Sequence, residues 1–163
     1  MCLRMLTVRD MLSQEEKIEI EQHISKAPTM KAAAIDVLKT VQRHRGWVPD
    51  DALEEAAVML SMTPAELDSI ATFFSLIYRK PVGKHVILVC DGVCCWLVGY
   101  EDIRKRLMDR LGITFGETTN DGKFTLIQSA CLGACENAPA MMIDDQLYIK
   151  LTPDMVDAVL VGY

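Results

Sequence analysis

The sequence predicts an α+β protein: an N-terminal helical bundle followed by an α/β domain with a mixed sheet. Three observations carry this. Residues 13–74 repeat apolar side chains at helical spacing between capping residues and turns. His85-Val-Ile-Leu-Val-Cys90 is a continuous apolar run of strand length, rich in β-branched residues. Five of the six cysteines fall between Cys90 and Cys135, at the ends of segments that read as strands.

Residues 1–12 carry no periodic pattern and read as a flexible N-terminal tail. Ser13-Gln-Glu-Glu16 is a capping box that opens a first helix, with Ile18, Ile20 and Ile24 as its apolar stripe and Pro28 beyond its end. Thr29 caps a second helix from Met30 to about His44, burying Ala34, Ile35, Leu38 and Val41 and closing at Gly46. Trp47-Val48-Pro49 makes a turn, and Asp50 caps a third helix from Asp51 to Leu60 with Leu53, Ala56, Ala57 and Leu60 inward. Thr63-Pro64-Ala65-Glu66 starts a fourth, which runs to Phe74 and buries Leu67, Ile70, Ala71 and Phe74. Trp47, Phe73 and Phe74 read as packing residues. Four short helices joined by short turns make the bundle, residues 13–80.

Arg79-Lys-Pro-Val-Gly83 marks the boundary to a second domain, residues 81–163. Its first strand, His85–Cys90, runs into a loop of Asp91 to Cys95. A helix from Tyr100 to Leu111 follows, with Ile103, Leu107 and Leu111 inward. Phe124–Ser129 is a second strand, Met141–Ile143 and Leu147–Leu151 form a hairpin, and Thr152 caps a last helix burying Met155, Val156, Val159 and Leu160. The order β-α-β then β-β-α implies a parallel pair extended by antiparallel strands, which is the order of a thioredoxin-like sheet.

Composition narrows the function. Half the residues are hydrophobic, a quarter are charged and the net charge is −6, with no basic run. That speaks against nucleic acid and anionic membrane surfaces as partners. No apolar run approaches a membrane span, and the N-terminus lacks the features of a signal peptide, so the expectation is a cytoplasmic protein without direct membrane insertion. His23, His44 and His85 have no neighbours at ligand spacing and are set aside.

Clustered cysteines in such a chain read as metal or redox chemistry rather than disulfides. Cys90-Asp-Gly-Val-Cys94-Cys95 and Cys131-Leu-Gly-Ala-Cys135 each follow a strand and each hold a glycine, which lets the loop curl and turn backbone N–H groups inward. Two thiolate pairs suit a 2Fe–2S cluster, two sulfurs to each iron. Zinc is allowed by the spacing, although the two-residue spacing of zinc ribbons is absent. A redox dithiol would need Cys-x-x-Cys, and none exists. The residues alone name Cys90, Cys131 and Cys135 as ligands but leave the fourth open between Cys94 and Cys95.

Motifs along nearly the whole chain after the tail resemble a known family. They are Arg45-Gly-Trp-Val-Pro49, Ala71-Thr-Phe-Phe74, Pro81-Val-Gly83, Cys90-x4-Cys95, Asp121-Gly-Lys-Phe124 and Cys131-Leu-Gly-Ala-Cys135-x3-Pro139-Ala-Met-Met-Ile-Asp144. The chain is similar to the thioredoxin-like 2Fe–2S subunits of respiratory NADH:quinone oxidoreductase (complex I). The resemblance implies one 2Fe–2S cluster on Cys90, Cys95, Cys131 and Cys135, with Cys94 a departure from the pattern. It also implies a heterodimer with a larger flavoprotein subunit that binds NADH and FMN, in the cytoplasmic peripheral arm of a multi-subunit membrane complex. This chain has no G-x-G-x-x-G fingerprint and is expected to bind neither cofactor of that partner. Two rivals remain: the equivalent diaphorase subunit of an NAD-linked hydrogenase or formate dehydrogenase, and a zinc-stabilised interaction module without a redox role.

Overall fold

The structure, a computed structural model, describes residues 12–163. The chain divides into two compact units, with the division between Pro81 and Val82. Of the expected tail only Leu12 is described; Cys2 lies outside the described residues. Leu12 is buried in the first unit's core, and its N–H donates to Glu55 Oε2 at 2.7 Å.

The first unit packs four helices: α1 (Gln14–Lys26), α2 (Ala34–Arg45), α3 (Asp50–Met59) and α4 (Pro64–Phe73). Capping boxes open α1 and α4 as the sequence predicts, at Ser13/Glu16 and Thr63/Glu66. Thr29 also caps, but it caps a short 3-10 turn, Met30–Ala33, that leads into α2. Ile20, Val37, Leu38, Val41, Ala56, Leu60 and Leu67 form the core.

Three expectations are corrected here. Ile18 is exposed, because two residues along a helix from Ile20 is more than half a turn away. Asp50 lies inside α3, where Pro49 holds the cap position, and its carboxylate instead meets Arg79 Nη2 at 2.6 Å. Phe74 leaves the α4 stripe: the helix ends at Phe73, Phe74 turns extended, and both rings sit exposed, edge to face with centroids 5.2 Å apart.

Glu16 does a second job beyond capping. It is 2% exposed. Its two oxygens accept from Arg45 Nε at 2.6 Å and Arg45 Nη2 at 2.8 Å, a bidentate pair between α1 and α2. Burial works against the charged form. Arg45 and the Ser13 N–H outweigh it and hold the carboxyl below its usual range.

The second unit is one four-stranded sheet in the order β2-β1-β3-β4. The strands are β1 (His85–Cys90), β2 (Phe124–Ser129), β3 (Met141–Ile143) and β4 (Gln146–Tyr148). β1 pairs parallel with β2, from His85 opposite Phe124 to Cys90 opposite Ser129, and antiparallel with β3. The crossover between the parallel strands holds α5 (Val93–Leu97) and α6 (Tyr100–Leu111), and α7 (Pro153–Val161) closes the unit. α6 and α7 pack together, with Arg106 and Arg110 both facing Asp157. Ile87, Ile103, Leu107, Leu126, Met141, Ile143, Val156 and Leu160 form the core.

The helix Tyr100–Leu111 and the first two strands match the sequence reading. The segment expected as a loop over Asp91–Cys95 contains the one-turn helix α5 instead. β4 ends earlier than expected, since Lys150 adopts φ 51° and its N–H donates to Asn137 O at 2.8 Å. Met155 is exposed, one helical step off the Val156–Leu160 stripe.

Arg45→Ala would leave a buried carboxylate without its partner. Its expected cost is about 3–5 kcal/mol, read from urea unfolding at neutral pH. Because the folded Glu16 pKa is depressed, its contribution is present above the ordinary glutamate range of about 4.3 and is lost as pH falls through the lower folded value. The gap between wild type and Arg45→Ala is therefore expected to narrow in acid.

Candidate metal centre

Parallel strands point their carboxyl ends the same way, about 4.8 Å apart. Cys90 is the last residue of β1, in register with Ser129, the last of β2. Both cysteine loops therefore leave the sheet side by side. The first loop turns at Gly92 into α5, which carries Cys94 and Cys95. The second runs Ala130 to Cys135, and Cys135 opens a short 3-10 turn.

The loops are tied to each other and to β3. The Asp91 N–H donates to Ser129 O at 2.9 Å. The Asp91 carboxylate accepts from Gln128 Nε2. The Cys90 N–H donates to Ala140 O at 3.1 Å. The backbone N–H of Ala140 faces the Cys95 sulfur. Ala140, just before β3, thus accepts from the backbone of Cys90 and lies beside the Cys95 thiol.

The described cysteines are all free thiols. They form pairs of different character. Cys90 and Cys95 are 3% and 2% exposed, and their thiols interact. Cys131 and Cys135 are exposed, with sulfurs 4.0 Å apart. A tetrahedral metal with bonds of about 2.3 Å spaces two sulfurs about 3.8 Å apart, so this pair needs little movement to share one metal. The Gly133 N–H donates to Cys131 Sγ at 3.3 Å. Gly133 adopts φ 77°, a left-handed angle that glycine takes at low cost and that curls the loop inward. Among the described residues no three Cys, His, Asp or Glu side chains converge on a single metal ion.

The donor set fits a two-iron cluster. Such a cluster asks for two thiolates at each iron and inward N–H donors for its negative charge. Two thiol pairs and the Gly133 and Ala140 amides supply both. Without iron, two of these thiols, Cys95 and Cys135, resist ionisation. Burial pushes Cys95 up to about 11, and the neighbouring Cys90 thiol adds to it. The Cys131 and Cys94 thiols beside Cys135 raise it as well. Ligation must displace these protons.

Each expected ligand lies at this end of the sheet. Cys95 turns inward against Cys90, whereas Cys94 is half-exposed and lies on the Cys135 side. His85 sits away from the loops, its Nδ1 2.7 Å from Asp144 Oδ2. Sequence reasoning misses two features. Ala140 acts through its backbone and carries no residue-type signal. The α5 surface does carry one. Val93, Trp96, Leu97 and Val98 are large apolar residues between Gly92 and Gly99, and all are exposed, Leu97 at 70% and Trp96 at 59%.

A profile of the thioredoxin-like 2Fe–2S ferredoxin family matches residues 20–163. The chain belongs to this family. Its cofactor is accordingly one 2Fe–2S cluster. Family relatives include an NADH-quinone oxidoreductase subunit of Pseudomonas aeruginosa, 42% identical over 157 residues, covering 96% of this chain and 95% of that protein. The protein of the same name from Escherichia coli K12 is 44% identical over 151 residues, covering 93% and 90%. Among solved structures, an NAD+-reducing NiFe hydrogenase in the air-oxidised state superposes with TM-score 0.66 at 24% identity. That match covers 77% of this chain and 22% of the hydrogenase chain, and it shows a shared fold.

In the iron-free chain at pH 8, iodoacetamide is expected to label the exposed Cys131 and Cys135 before the buried Cys90 and Cys95. Peptide mass spectrometry reads the order.

Proposed function

We propose that this chain is the electron-transfer subunit of an NADH:quinone oxidoreductase, with its cluster on Cys90, Cys95, Cys131 and Cys135. One observation carries the reading: two thiol pairs stand at the joint carboxyl ends of β1 and β2, in a chain matched over nearly its whole length by proteins named as one subunit of that complex. When bound, the cluster supplies a site that takes up and returns one electron, exchanged with the FMN of a partner subunit.

The chain's own residues fix where that happens. β1 and β2 hold the two loops in register. The Gly133 N–H donates to Cys131 Sγ, and the Ala140 N–H beside Cys95 opposes the upward push of burial on that thiol. Cys90 and Cys95 keep one side of the site away from water, while Cys131 and Cys135 face outward. α5 packs against the short turn that Cys135 opens, and Val93, Trp96, Leu97 and Val98 are exposed on and just after it. Four large apolar side chains exposed within six residues are characteristic of an interface. Its occupant in this reading is the larger flavoprotein subunit, which binds NADH and FMN and carries out hydride transfer. The chain then belongs to the peripheral arm of the complex on the cytoplasmic side. No helix among the described residues is long and apolar enough to cross a membrane.

The diaphorase subunit of an NAD-linked hydrogenase is the second reading, favoured by the fold shared with the NAD+-reducing hydrogenase. The relatives above 40% identity, over 90% or more of their length, favour the first.

Cys90→Ser, Cys95→Ser, Cys131→Ser and Cys135→Ser are each expected to remove or deplete the cluster, and Cys94→Ser to retain it. Iron, acid-labile sulfide and low-temperature EPR after reduction are the measurements. A wild-type chain with one zinc and no labile sulfide would overturn the assignment. Trp96→Asp is expected to weaken binding to the flavoprotein subunit by about tenfold or more, read by titration of the purified subunits, with iron content unchanged.

A further inference from the structure

We infer that Gly92 is the spacer that sets the gap between the two thiol pairs. The inference rests on the reading that Cys90, Cys95, Cys131 and Cys135 share one cluster. Gly92 adopts φ −55° and ψ 153°, a conformation open to any residue. What glycine contributes at this position is therefore the absence of a side chain, not backbone freedom.

The space a side chain would fill lies where the two cysteine loops cross. A Cβ on Gly92 would sit 2.9 Å from Ala130 O, 3.6 Å from Cys90 Sγ and 4.0 Å from Cys131 Cβ. One wall of that space belongs to the first thiol pair, and another to the second. The tightest contact is with backbone, so no flexible side chain can swing aside to relieve it. Ala130 follows Ser129, whose carbonyl is held by the Asp91 N–H at 2.9 Å, and it precedes Cys131 directly. A side chain at position 92 therefore requires a backbone shift of one loop against the other. In this inference the shift moves Ala130 and Cys131 away from Gly92 and Cys90 and widens the distance between the pairs. Gly92 is a positioning residue: it touches no substrate and acts through the placement of its neighbours.

The test compares the full-length wild type with Gly92→Ala. Three quantities are read: the melting of the iron-free chain by circular dichroism, the EPR line shape of the reduced protein, and the rate of iron loss to a chelator. The expected result is an iron-free melt like that of the wild type, an altered EPR line shape and iron loss about tenfold faster. Gly92→Val is expected to move both cluster readouts further in the same direction. Unchanged EPR and iron retention in both variants would overturn the inference. So would collapse of the iron-free fold in Gly92→Ala, which would make the glycine a requirement of folding rather than of spacing. A wild type that holds no iron and sulfide is a different result, and it removes the underlying cluster reading instead.

Discussion

The parallel pairing of β1 with β2 is the constraint on which the rest of the second unit depends. Two strands that run the same way deliver their last residues to the same edge, and here those residues are Cys90 and Ser129. Antiparallel strands would send the two cysteine loops to opposite ends of the sheet. The pairing needs a crossover, which α5 and α6 provide. α6 carries its apolar stripe of Ile103 and Leu107 onto the sheet, and α5 carries Cys95 back beside Cys90. β1 is buried on both faces, so its side chains pack against both layers of the unit.

The thiol site is held by backbone more than by side chains. Ala140 accepts from the Cys90 N–H and lies beside Cys95, and Gly133 donates to Cys131 Sγ. These donors and the metal they would support oppose the tendency of buried thiols to stay protonated. In the iron-free site Cys95 and Cys135 are therefore held in the neutral thiol form, and ligation must displace their protons. The two pairs also differ in environment. One is enclosed by the sheet and α5, and the other opens to the surface beside an apolar patch. An electron carrier needs both: enclosure limits hydrolysis and oxidation at the metal, and an open side allows close approach of a redox partner.

Much of this is legible in the residues, for identifiable reasons. Ser13/Glu16 and Thr63/Glu66 mark helix starts because capping is a local interaction, fixed by four consecutive residues. The apolar run of His85–Cys90 reads as a buried strand because only a central strand hides both of its faces. The cysteine pairs point to metal because their spacing is itself the chemistry. The family resemblance prefers Cys95 to Cys94; the structure sets Cys95 beside Cys90 and Cys94 beside Cys135.

What the residues hide is tertiary or a matter of phase. Periodicity assigns Phe74 to the core, but its helix ends one residue earlier and both phenylalanines reach the surface. Gly92 reads as a residue that lets the loop curl, yet its backbone angles are ordinary, and what a side chain there would meet is Ala130, far along the chain. The α5 turn reads as loop because five residues are too few to show a period. The most direct measurement of the central claim is iron K-edge X-ray absorption on the purified chain. Iron bound by sulfur, with a second iron as its nearest metal neighbour, is the predicted result. Iron ringed by four sulfurs with no metal neighbour would contradict a cluster shared between the two loops.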